Sequence, residues 1–67
     1  MIVYKDILGK LKDAGYTTTR IRKEGLLPES TLQRIRNNNP DIKLSTMERI
    51  CNLIGCELSD VVEFRKE

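Results

Sequence analysis

The chain has no histidine and no tryptophan, only two cysteines and two prolines, and one phenylalanine beside two tyrosines. Without histidine it lacks the side chain that most readily moves protons near neutral pH. Two cysteines and no histidine are too few for a four-ligand zinc site within one chain. With 67 residues the chain is expected to form one domain. A chain of this size buries roughly 60% of its surface on folding and holds only one small core. A cleft lined by catalytic groups would compete with that core for residues, and no set of nucleophile, base and oxyanion donors can be assembled. An enzyme is not expected, nor are a cofactor, a metal or a small-molecule ligand. No apolar run approaches the ~20 residues of a membrane span, and the opening MIVYKD is too short in apolar residues for a secretory signal. The expectation is a cytoplasmic protein with no membrane partner. Cys51 lies on an apolar helical stripe and Cys56 just past its end, which reads as two buried thiols without a redox role.

What is present is an uneven distribution of charge. The net charge is only +2. Residues 17 to 43, however, carry Arg20, Arg22, Lys23, Arg34, Arg36 and Lys43 against Glu24, Glu29 and Asp41, whereas residues 44 to 67 carry three basic and five acidic side chains. A basic surplus confined to one segment suits a polyanionic partner, although a charge run is also how an ordinary solvated face looks.

Apolar spacing divides the chain into short helices. Ile7, Leu11 and Ala14, with Leu8 widening the stripe, predict a first helix over about Lys5 to Ala14, with Gly15 as its C-terminal cap. Thr17 is a natural N-cap for a second helix that runs to about Glu24, is anchored by Ile21 and is closed by Gly25. Leu26 and Leu27 bury the connection. Pro28 then sits where its fixed φ suits the start of a third helix, about Glu29 to Asn37. Asn38, Asn39 and Pro40 stop that helix and begin a loop to Lys43, placed to run along a phosphate backbone. Ser45 followed by Glu48 reads as a capping box opening a fourth helix, whose stripe is Met47, Ile50, Cys51 and Ile54 and whose end is Gly55. Ser59 can cap a short last helix at about Asp60 to Glu63, and VVEF can equally be read as a strand. Met1 to Tyr4 is β-prone, and the simplest way to tie down both ends is a small sheet pairing it with Val62 to Arg65.

The stretch TTTRIRKEGLLPESTLQRIR therefore holds two helices pressed against one tight connection. At about 100° per residue, Leu32 and Ile35 define the inward face of the second of them. Ser30, Gln33, Arg34 and Asn37 cluster on the opposite side, as donors and acceptors able to address base edges in a major groove. Gln33 suits adenine, and Arg34 suits guanine or a phosphate. Glu29 could accept from cytosine N4 or simply favour the helix dipole while repelling phosphate. Thr17, Thr18, Arg20, Arg22, Arg36 and Lys43 are the phosphate-contact candidates. Each has a structural alternative: Thr17 is first an N-cap, and Arg22 or Arg36 can pair with Glu24 or Glu29 on a solvated surface.

Over nearly its whole length this pattern resembles the Cro and phage-repressor helix-turn-helix family, also called the XRE family. LSTMERICNLIGCELSDVVEF is similar to the part of small bacterial and phage-type members in which a capped helix ends in a Leu/Ile-x-Cys step, followed by a short acidic helix and "EF" or "EY". The helix-turn-helix matches at Ile21, Leu27, Leu32 and Ile35, and Thr18 stands where members often place a phosphate-contacting glutamine. Arg22, Gly25 and Leu26 depart from the family's small, apolar and glycine residues, so that Gly25 would supply the left-handed residue one step early. The resemblance implies an all-α, compact five-helix lambda-repressor-like domain that binds double-stranded DNA sequence-specifically as a transcriptional regulator, with short terminal strands as an addition. One short reading helix yields few base contacts, which makes a homodimer on a pseudo-palindrome the expected form. The competing reading is a protein-interaction module, an inhibitor or adaptor, on the same fold without DNA binding.

Overall fold

The computed structural model describes residues 1–66. Its order is β1 (Ile2–Tyr4), α1 (Ile7–Asp13), α2 (Thr18–Glu24), α3 (Glu29–Arg36), α4 (Leu44–Ile54), a 3-10 turn at Leu58–Asp60, and β2 (Val62–Phe64). Among the described residues there are four α-helices, not five. The expected last helix is a single 3-10 turn, and Ser59 does not cap it: the Glu57 N–H donates to Asp60 Oδ2 at 3.0 Å. The reason lies in the next residues. Val61 is fully buried and its carbonyl accepts from the Lys5 N–H at 2.8 Å, so the chain must straighten into a strand there.

The same bond moves the start of α1. Lys5 is held in strand register by Val61 and cannot be helical. The chain instead turns through Asp6, left-handed at φ 44°, whose side chain accepts from the Gly9 N–H at 3.2 Å. Gly9 is matched to that cap, because a Cβ on it would stand 2.2 Å from the Asp6 carboxylate. α3 ends at Arg36, with Asn37 as its C-cap. α4 begins earlier than expected, with Lys43 as its N-cap and no side-chain cap bond, which leaves Ser45 inside the first turn and the Ser45/Glu48 box unformed. The loop before it is tighter than a free connection: Asn39 Oδ1 accepts from the Asp41 N–H at 2.9 Å, and the Pro40 carbonyl accepts from the Ile42 N–H at 2.9 Å. Those two bonds deliver the chain into helical register at Leu44.

The core is drawn from the four α-helices, the connection between α2 and α3, and Val61 just ahead of β2. Ile7 and Leu11 of α1 meet Ile21 of α2, Leu27 of the connection, Leu32 and Ile35 of α3, Met47, Ile50 and Cys51 of α4, and Val61. Each such side chain contributes about 1.5–3 kcal/mol of burial, which the ordering of the backbone largely offsets. Cys51 is buried as expected, and burial with Cys56 close by pushes its thiol up, which keeps it protonated and unreactive. Cys56 is only half-buried, because the left-handed Gly55 turns the chain outward at that point.

β1 and β2 pair antiparallel, Ile2 with Phe64, Val3 with Glu63 and Tyr4 with Val62, as the β-prone ends led us to expect. The outer edge of β1 is closed by a side chain. Asn38, left-handed at φ 52°, accepts from the Tyr4 N–H through Oδ1 at 3.0 Å and donates through Nδ2 to the Ile2 carbonyl at 3.1 Å. The Tyr4 hydroxyl donates to the Asn39 carbonyl beside it. The loop after α3 is thus bound to the terminal sheet along its first half. Net hydrogen bonds are worth about 0.5–1.5 kcal/mol each, so losing both in Asn38→Ala should lower the melting temperature by ~4–24 °C in a chain of this size. Asn38→Gly keeps the left-handed backbone and should still lose stability. Hydrogen exchange at the Tyr4 amide should accelerate in both variants; unchanged protection there would show that the amide bridge does not hold the edge.

Candidate nucleic-acid interface

The connection between α2 and α3 is built as the sequence suggested. Thr17 Oγ1 accepts from the Arg20 N–H at 3.2 Å, capping α2. Gly25 closes the helix at φ 64°, its N–H and that of Leu26 donating to the carbonyls of Arg22 and Ile21 at 3.3 and 3.0 Å. A Cβ on Gly25 would meet nothing within 4 Å, so the glycine answers to backbone conformation alone. Leu27 is buried and pulls the turn onto the core, with Leu26 packed against its margin. Pro28 has extended φ and ψ, and its carbonyl accepts from the N–H groups of Thr31 and Leu32 in the first turn of α3.

On α3 the inward face is Thr31, Leu32 and Ile35. Thr31 was not read as inward from the sequence. Its position one turn before Ile35 is the signal that could have placed it there. Ser30, Gln33, Arg34 and Asn37 are all exposed on the other side. Among the described residues none of those four side chains hydrogen-bonds to another part of the protein, so the ridge they form is unspent.

The basic residues on α2 are differently placed. Arg22 donates to Glu29 in a two-pronged contact, Nε to Oε2 at 2.6 Å and a terminal nitrogen to Oε1 at 2.8 Å. This pair ties the exposed side of α2 to the first residue of α3 across the turn. The Arg22 hydrogen bond holds the Glu29 carboxyl below its usual value, and the charge of Arg36 lowers it further. A carboxylate with a depressed folded-state pKa stabilises the fold above its unfolded value of about 4.3 and loses that contribution as pH falls through the folded value. Arg20 is likewise engaged: it bonds Glu24, donates to the Gly15 carbonyl at 2.9 Å and lies over the Tyr16 ring at 4.8 Å from its centroid. Arg20 is therefore held by the end of its own helix and the Gly15 carbonyl, and Arg22 by the start of α3. Arg34, Arg36 and Lys43 form no ion pair among the described residues. Thr18 is half-buried at the first position of α2, beside the cap.

Two short helices at a glycine turn, a buried leucine in the connection and an unspent polar ridge on the second helix make up a helix-turn-helix. A family model described as the Cro/C1-type HTH DNA-binding domain matches residues 7–67. The chain belongs to that family. Neither a curated protein nor a solved structure matches it. The Cro/C1-type match covers the four helices, the 3-10 turn and β2, while β1 lies ahead of the matched range. DNA binding by a regulator is thus the general activity of this domain, and no helix among the described residues is long and apolar enough to cross a membrane.

The Arg22–Glu29 pair makes a prediction for this Cro/C1-type domain. Removing the carboxylate in Glu29→Ala frees a guanidinium at the edge of α3. Affinity for random-sequence duplex at low salt should rise, and the slope of log K against log salt should steepen by ~0.9 as Arg22 takes up a phosphate. Fluorescence anisotropy across a salt series measures both. An unchanged slope would mean that Arg22 stays off the backbone even when released.

Proposed function

We propose that this domain binds double-stranded DNA sequence-specifically, as a small bacterial or phage-type transcriptional regulator of the repressor-like kind acting in the cytoplasm, and that α3 reads the major groove. The observation that carries this reading is the outward ridge of α3, on which Ser30, Gln33, Arg34 and Asn37 are exposed and have no internal hydrogen-bond partner. Side chains with unspent donors and acceptors on a helix of this width are what base edges require. Arg36 and Lys43 flank the ridge as phosphate ligands, with Thr17 and Thr18 at the start of α2. Arg20 and Arg22 contribute more as braces of the two helices, and Glu29 sets the reach of Arg22. Two copies on a pseudo-palindrome supply the specificity that one short helix lacks.

An adaptor that had given up DNA would be expected to show an apolar patch on α3. The exposed large apolar side chains lie elsewhere, at Met1, Ile2, Leu44, Leu58 and Phe64.

Selection of sites from a random duplex pool tests the reading directly. Gln33→Ala and Arg34→Ala should each relax one position of the selected consensus, at ~1–3 kcal/mol of lost discrimination. Arg36→Ala should weaken binding alike on all sequences and flatten the salt slope. Absence of binding to any duplex at low salt would overturn DNA binding. Selection of the same site with undiminished preference by both ridge variants would move the reader away from α3.

A further inference from the structure

Among the described residues all four α-helices stop in the same way. A backbone N–H beyond each helix reaches back five residues, Tyr16 to the Leu11 carbonyl at 2.8 Å, Leu26 to Ile21 at 3.0 Å, Asn39 to Arg34 at 2.8 Å and Cys56 to Cys51 at 3.1 Å. The residue inside each such turn is left-handed: Gly15 at φ 94°, Gly25 at 64°, Asn38 at 52° and Gly55 at 79°. Glycine meets that conformation at least cost, so the stop of α3 does not by itself call for asparagine. What asparagine adds is its amide, which accepts from the Tyr4 N–H at 3.0 Å and donates to the Ile2 carbonyl at 3.1 Å. The Tyr4 hydroxyl donates to the Asn39 carbonyl, and the Asn38 N–H donates to the Ile35 carbonyl at 3.2 Å. Through two residues β1 is thus linked to the last turn of α3, to Arg34 on the outward ridge and to Ile35 on the inward face.

We propose that Asn38 is a positioning residue for base reading, its amide and the Tyr4 hydroxyl together setting where Arg34 and Asn37 meet the groove. The proposal rests on the reading of α3 given above and names what aims that helix. Leu27 and the Arg22–Glu29 pair hold the N-terminal end of α3, so loss of the β1 bridge leaves the helix free to swing about that end. At a rise of about 1.5 Å per residue, Ser30 stands ~4.5 Å from Leu27 along the axis and Asn37 ~15 Å. A swing of ~5° then moves Ser30 by ~0.4 Å, Arg34 by ~0.9 Å and Asn37 by ~1.3 Å. Hydrogen bonds to base edges hold over a donor–acceptor window of only about 0.5 Å. The far half of the ridge therefore loses its register while the near half keeps it. Attraction between a cation and a phosphate falls off gently with distance, and long flexible side chains follow the backbone as the helix moves. The bridge thus bears on sequence choice and not on overall affinity.

Two substitutions separate aim from stability. Asn38→Gly keeps the left-handed stop and removes the amide, while Tyr4→Phe removes the hydroxyl and keeps the strand. Both, singly and together, are compared with the wild type at ~20 °C below the lowest melting midpoint, where every variant is folded. The probes are the duplex that the wild type selects from a random pool, its single-base variants and a random-sequence duplex. Alanine variants at Ser30, Arg34 and Asn37 assign base positions on the same panel. Asn38→Gly should cut discrimination ~5-fold or more at the positions that depend on Arg34 and Asn37, and the double variant further. The position that depends on Ser30, the affinity for random duplex and the salt slope should stay at wild-type values. Without DNA, amide residual dipolar couplings should show α3 turned relative to α1 and α4 in Asn38→Gly. A residue that only stabilised the fold would change selected-site and random binding alike, or neither once all variants are folded. Either result would overturn the proposal, as would unchanged couplings. Failure of the wild type to bind any duplex would sink the DNA reading and this role with it, whereas a wild type that selects a site and keeps every preference in the double variant sinks the positioning role alone.

Discussion

The side-chain amide of Asn38 does for β1 what the peptide groups of a third strand would do, and it does so from the residue that immediately follows α3 and its cap. Through that one contact α3 is fastened at its C-terminal end to the terminal sheet, just as Leu27 fastens its N-terminal end to the core. An eight-residue helix gains little stability from its own backbone, since nucleation costs more than a few turns return. Its orientation is therefore a property of its two attachments. The left-handed backbone at Asn38 lets the side chain turn back on β1, and asparagine tolerates that region better than most residues.

Charges around the helix-turn-helix separate into braces and free groups. Arg20 and Arg22 are occupied by Glu24 and Glu29, whereas Arg34, Arg36 and Lys43 have no ion-pair partner among the described residues. Exposed pairs of this kind add little to stability, so their significance lies in arrangement. Glu29 sits between Arg22 and Arg36 and mutes the positive field at the N-terminal end of α3, leaving cationic side chains dominant toward its C-terminal end.

Much of this was legible in the residues themselves. Thr17 as cap, Gly25 as the left-handed stop, Leu27 as buried connector and Leu32 with Ile35 as the inward face depend on local chemistry, and each stands as local chemistry implied. The pairing of the two β-prone ends also follows from their composition. Boundaries failed where a distant contact overrode a local signal. Lys5 has a helix former's side chain, but its N–H belongs to Val61. Ser45 and Glu48 have capping-box spacing, but the bonds within the Asn39 to Ile42 loop start α4 at Leu44. Asn38 itself read only as a helix stop, because nothing local reveals that its amide meets a strand 36 residues away. On the candidate face, residue types showed which side chains point outward but not which were already engaged; the reach of Arg22 across the turn to Glu29 depends on how the two helices are set.

The pairing of β1 with β2 joins residues such as Ile2 and Phe64 from opposite ends of the described chain. Closing so long a loop carries the largest entropic cost of any contact in the fold, whereas the helices and the turn between α2 and α3 form from near neighbours. Order should therefore arise from the middle outward, with the sheet zipping last onto a bundle already in place. Asn38 can bridge Ile2 and Tyr4 only once that strand has arrived. The end of α3 is thus fixed by the final step of folding, and a chain still missing its last strand would carry every side chain of the outward ridge without holding the helix at its final angle.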